Sequence, residues 1–200
     1  MQPTFKKIVN SKNLMKAASL SKVSRDLYSS NPSNKPLKQM DISSPEVLNF
    51  LERLHINQVR YLLVGGMATT FHGYIRTTQD LDLWIDDSPD NKDRLIMVLK
   101  LVNVPGAENY RTVPMIAGWS AITIGAEDFV ADFVLSMKAF SSKDFGSCYL
   151  RVKKGEFQGV PITVIHLNDL IKEKESTGRH KDLDDLENLQ RIRKDLDNDV

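Results

Sequence analysis

Asp80-Leu81-Asp82-Leu83-Trp84-Ile85 sets the tightest limit on how this chain of 200 residues can fold. Leu81, Leu83 and Ile85 alternate with Asp80, Asp82 and Trp84, the period-two pattern of a strand. Alternation puts both carboxylates on one face and anchors the leucines in the core from the other. Two like charges side by side repel, so a buried strand carrying them needs a metal ion or another cation. A solvated strand face at a sheet edge is the alternative reading.

Two neighbouring stretches sharpen this. Tyr61-Leu62-Leu63-Val64 is a short apolar run that ends at Gly65-Gly66 and leads into a short helix from Met67 to Gly73. Glycines at such a turn let a phosphate approach backbone N–H groups and the positive end of the helix. Asp132 sits inside the apolar strand Phe129–Leu135, where a lone acid is out of place unless it has a purpose or a salt-bridge partner, Arg76 or Arg111. Three carboxylates on neighbouring strands can hold two Mg²⁺ ions, one activating an attacking oxygen and one steadying a leaving pyrophosphate. Nucleotidyl transfer has that requirement.

Elsewhere helices and strands alternate. Ser44-Pro45-Glu46 and Ser88-Pro89-Asp90 are helix starts, each followed by an apolar face. Ala121–Ile124 reads as a strand. Tyr149–Val152 and Val160–Val164 flank Lys154-Gly155-Glu156 as a hairpin, with Gly155 in its turn. Helices are expected from about Asn168 to Glu175 and from Lys181 to Lys194, broken at Gly178. The sum is an α/β (α+β) fold with a mixed β-sheet, flanking helices and a late hairpin.

Charge divides the chain. Residues 1–40 hold eight Lys or Arg and one acid, and the remainder holds 19 basic against 25 acidic residues. The first 40 residues therefore read as a basic arm, with Ser29–Pro36 as linker and Leu20, Val23 and Leu27 as one face of a helix over 13–28. Three readings stand: an arm that touches nucleic acid or an acidic partner, an arm packed on its own domain, or a presequence. The near-neutral total excludes a whole-molecule field for nucleic acid or membrane. One cysteine, Cys148, excludes a disulfide framework and reads as a small buried hydrophobe. His72, His166 and His180 lack zinc-ligand spacing. Without an 18-residue apolar run or a secretory start, a cytoplasmic protein with no membrane partner is expected.

The glycine pair, Asp-x-Asp on the next strand and a later strand Asp together resemble the DNA polymerase β-like nucleotidyltransferase superfamily. The resemblance is closest to the small prokaryotic branch that includes the AbiEii-type toxin nucleotidyltransferases. That branch often carries Arg-Thr-Thr-x-Asp-Leu-Asp, present here as Arg76–Asp82. Near its C-terminus it carries Lys-x-x-x-Gly-Arg-x-Lys-Asp-x-x-Asp, present here as Lys174–Asp185. The resemblance covers roughly residues 45–192, within a nucleotidyltransferase domain placed at 41–200. It implies that Asp80, Asp82 and Asp132 are catalytic and bind Mg²⁺ or Mn²⁺, and that Gly65 and Gly66 face the triphosphate of an NTP. It implies a basic rim of Lys174, Arg179 and Lys181. Many members have Gly-Ser where this chain has Gly65-Gly66, so the serine's phosphate contact falls to backbone, Thr69 or Thr70. Arg76 contacts phosphate or pairs with Asp82.

The function expected is transfer of an NMP from an NTP to a hydroxyl on RNA, protein or a small molecule, as in one half of a toxin–antitoxin pair. The alternative is a catalytically silent nucleotide-binding or regulatory module of the same fold. For Arg179, Lys181, Asp182 and Asp185 the plainer reading is a capped, salt-bridged helix start. Trp84 is expected in the core. Trp119 is either core or a surface for stacking on a base.

Overall fold

The computed structural model describes residues 11–30, 41–118, 120–125 and 129–198, with backbone alone at 11, 25, 27–29 and 181. Trp119 and residues 31–36 of the linker expected over Ser29–Pro36 lie outside the described residues, as does the side chain of Lys181, while Ser29 itself is still helical.

Six strands form one mixed sheet: β1 (Tyr61–Leu63), β2 (Asp80–Ile85), β3 (Ala121–Ile124), β4 (Phe129–Val134), β5 (Lys153–Phe157) and β6 (Val160–Val164). Their order is β3-β4-β2-β1-β6-β5. β2 runs parallel to β4 and β1 parallel to β6, while β1–β2, β3–β4 and β5–β6 are antiparallel. The mixed α and β architecture expected from the alternating pattern is the one found. β2 is central, so Leu81, Leu83 and Trp84 are fully buried. The indole N–H of Trp84 donates to the Leu135 carbonyl at 2.9 Å, which satisfies the polar atom of a core tryptophan.

Seven α-helices accompany the sheet among the described residues: α1 (Ser11–Ser29), α2 (Pro45–Ile56), α3 (Gly65–His72), α4 (Pro89–Leu101), α5 (Phe145–Tyr149), α6 (Leu167–Thr177) and α7 (His180–Asn198). The Ser44 hydroxyl caps α2 by accepting from the Val47 N–H, and Val47, Phe50, Leu51 and Leu54 form its buried face. Asn91 of α4 is 1% exposed; its side-chain amide bonds both backbone groups of Arg60 and fixes the entry to β1. No helix is long and apolar enough to cross a membrane among the described residues.

Two expectations need correction. The first strand of the hairpin is β5, the stretch read from the sequence as its turn, and Tyr149 ends α5 instead. The turn is Gln158-Gly159, at φ 49° and 83°. Gly155 is a glycine for packing: a Cβ there would stand 2.4 Å from the Phe71 ring. In α1 the buried face is Leu14, Ala17, Ala18 and Ser21, whereas Leu20 and Val23 are exposed. Small residues let α1 lie close against α3 and β5, and that closeness outweighs the bulk of Leu20 and Val23. Leu14 and Ala18 belong to the same buried cluster as the sheet.

Candidate functional site

The parallel register of β2 and β4 sets Asp82 directly opposite Asp132, with Asp80 one pleat away beside Val130. All three carboxylates line a cleft of about 780 Å³ beyond the end of β1. Gly65 and Gly66 open α3 at the floor of that cleft.

The two glycines are required for different reasons. Gly65 has φ +61°, and a Cβ on it would stand 1.8 Å from Asp82 Oδ2. The Asp82 carboxylate occupies the space a side chain would take. Gly66 would meet Arg76 Nη2 at 2.7 Å and Thr78 Oγ1 at 2.8 Å. Its backbone N–H lies close enough to the Asp82 carboxylate to favour the charged form. Val64, which precedes α3, provides no side-chain cap, and the Asp82 carboxylate lies against this helix start instead.

Burial raises Asp82 to about 7, and the charges of Asp80 and Asp132 add to the rise. Lys174 and the Gly66 N–H pull the other way. Asp132 is 6% exposed, and its proton affinity is likewise raised by burial, opposed by the Gly118 N–H and reinforced by Asp80. Gly118 donates to Asp132 Oδ2 at 2.6 Å, while the buried Oδ1 has no hydrogen-bond partner. Neither Arg76 nor Arg111 pairs with Asp132: the first bonds Asp185 and the second Asp93.

The basic residues form an ion cluster around the start of α7. Lys174 is buried, and its Nζ lies 2.7 Å from Asp182 Oδ1 and 2.6 Å from Asp185 Oδ2. Arg179 Nε lies 2.5 Å from Asp182 Oδ2, and Thr177 donates to the same oxygen at 2.7 Å. Arg76 Nε lies 2.8 Å from Asp185 Oδ1. Of the two readings of Arg76, pairing with Asp82 is not the one found: its guanidinium is paired with Asp185. Lys174 is a buried structural cation at the cleft wall, whereas Arg76 and Arg179 line the cleft with part of the side chain exposed. The salt-bridged helix start weighed from sequence is thus present, beside the cleft.

Thr69 is not brought to the cleft. It is fully buried, and its hydroxyl donates back to the Gly65 carbonyl at 3.1 Å. Thr70 is also fully buried, and its hydroxyl points to the Arg76 carbonyl at 3.4 Å. Thr78, which the sequence did not single out, does line the cleft, and its hydroxyl lies 3.3 Å from Asp80 Oδ1. Position i−2 on the strand approach to Asp80 is the signal that would have found it. Gly118 had no signal within its own stretch of sequence.

Asp80, Asp82 and Asp132 are hard oxygen donors of the type a divalent cation such as Mg²⁺ takes, and Asp132 Oδ1 is buried without a hydrogen-bond partner. These side chains do not close a metal shell by themselves: no group of three His, Cys, Asp or Glu among the described residues meets at one point. Compared with known proteins, the chain matches no family model and no curated protein.

Proposed function

We propose that the chain is a Mg²⁺- or Mn²⁺-dependent nucleotidyltransferase that moves an NMP from an NTP to a hydroxyl acceptor. The observation that carries this reading is the Asp82–Asp132 register pair, with Asp80 on the same face, next to the N-terminus of α3. Asp80, Asp82 and Asp132 would hold the metal, which when bound supplies Lewis-acid neutralisation of phosphate charge. Gly65 and Gly66 let Asp82 and Arg76 come close against the start of α3, so that both would stand beside a triphosphate in the cleft. Arg76 and Arg179 offer charge-assisted bonds to the same oxygens from the cleft wall. Asp185 and Asp182 hold those two guanidiniums in place, and Lys174 holds both aspartates. Asp132, with one free oxygen and a raised proton affinity, suits either metal ligation or taking the acceptor's proton.

A silent nucleotide-binding module is the second reading, favoured by the capture of Lys174 within its own ion cluster. Thermal melting with each NTP, with and without Mg²⁺, separates the two when paired with label transfer. Metal-dependent stabilisation with transfer supports the enzyme. Stabilisation without transfer supports the module, and no stabilisation by any NTP contradicts both.

A further inference from the structure

Along α6, Leu170, Glu173, Lys174 and Thr177 recur at i, i+3, i+4 and i+7, so they share one helix face, and all four line the cleft. From Leu170 to Thr177 that face runs for about 10 Å. Its character changes on the way. At the C-terminal end stand Lys174, Thr177 and Arg179, with Arg76 tied into the same ion cluster through Asp185. At the other end Leu170 shares the cleft wall with Val134 and Met137, all three apolar. Val134 follows Asp132 by two residues on β4, so it lies on the sheet face of the carboxylates and borders them.

The turn that carries Met137 is firmly held. Met137 and Phe140 exchange backbone hydrogen bonds at 2.8 and 3.4 Å. Glu173 accepts from the Lys138 N–H at 3.1 Å and from the Ala139 N–H at 2.8 Å, one on each carboxylate oxygen. The Phe140 ring packs 5.7 Å from Trp84, centroid to centroid, and the Lys172 ammonium lies 4.6 Å over it. Val134 and Leu170 are buried, which leaves Met137 as the partly exposed apolar side chain at this end. An unbranched thioether adapts its shape and makes favourable contact with aromatic rings.

We propose that Met137, backed by Val134 and Leu170, seats the nucleobase of the NTP, with the phosphates directed toward Arg76 and Arg179. Glu173 is a positioning residue that acts through the turn. This assignment rests on the nucleotide reading of the cleft and fixes which way the nucleotide lies in it. A flat aromatic ring at one end and a polyanion at the other match the two ends of the α6 face. The reverse orientation would set phosphates against three side chains that donate no hydrogen bond.

The test compares each of the four NTPs with inorganic tripolyphosphate, all with Mg²⁺ in excess, by their concentration-dependent effect on the melting temperature of the full chain. Tripolyphosphate has the charge and no base. At least one NTP should bind about tenfold or more tighter than tripolyphosphate. Met137→Ala should weaken that NTP about three- to tenfold and leave tripolyphosphate unchanged. Met137→Leu, which conserves volume, should restore most of the loss. Glu173→Gln turns an amide nitrogen toward a backbone N–H, and it too should weaken the NTP and spare tripolyphosphate; it decides alone should Met137→Ala not fold. The base seat is overturned if tripolyphosphate binds as tightly as every NTP, or if the substitutions weaken both ligands equally or neither. Tripolyphosphate binding in those cases leaves the phosphate end of the cleft standing. If no NTP and no tripolyphosphate raises the melting temperature, the nucleotide reading itself fails and the seat with it.

Discussion

Asp82 and Asp132 face each other across the parallel pair β2–β4, two acids in direct register on the inner strands of a sheet. Burial, and after it the charges of Asp80 and Asp132, disfavours charge on Asp82 and raises its proton affinity from 3.8 to about 7. The native state then holds a proton that the unfolded chain releases, so Asp82 lowers stability progressively as pH rises from about 4 to about 7. Asp82→Asn has no such titration. Its stability gain over wild type should be small near pH 4 and largest near pH 7. His72, depressed to about 4 by burial, acts with the opposite sign in the same window, but it is present in both proteins and cancels in the difference. Urea midpoints across this range check the point; a pH-independent difference would contradict it.

Gly65→Ala should destabilise by more than about 2 kcal/mol, combining a left-handed φ with a clash against Asp82. Asp82→Ala in the same chain should relieve part of that loss, since it removes the atoms the new Cβ meets. Denaturant unfolding of the single and double variants measures the coupling, and strict additivity would argue against contact.

Lys174→Ala leaves Asp182 and Asp185 buried without their shared cation, and should cost about 3–5 kcal/mol. A loss below about 1 kcal/mol would mean that Arg76 and Arg179 suffice to neutralise the pair.

Leu14→Ala should cost about 2–5 kcal/mol, since this side chain is fully buried in the common core. A neutral result would return α1 to the status of a detached arm. Leu20→Ala, on the exposed face, should change stability little.

How much of this was legible in the sequence depended on range. Asp80, Asp82 and Asp132 announced themselves because a strand's alternation is local and an acid among apolar neighbours is conspicuous. The helix starts at Pro45 and Pro89 were legible for the same reason. Gly155 misled, because a glycine that admits the Phe71 ring looks in sequence like a glycine that turns the chain. The face of α1 misled because its neighbours select for small size at Ala17, Ala18 and Ser21. Arg76 with Asp185, and Gly118 with Asp132, join residues far apart in the chain, so local pattern held no trace of them.

Nucleotidyl transfer stands or falls with the charge on Asp82. Purified full chain and its Asp82→Asn variant, both confirmed folded by melting, are incubated with Mg²⁺ and α-phosphate-labelled NTPs in the presence of cell RNA and protein. Wild type should transfer label, and Asp82→Asn should lose transfer by a factor of about 100 or more, as removal of several kcal/mol of metal-dependent stabilisation requires. A folded Asp82→Asn protein that labels its target at the wild-type rate would contradict the role given to Asp82.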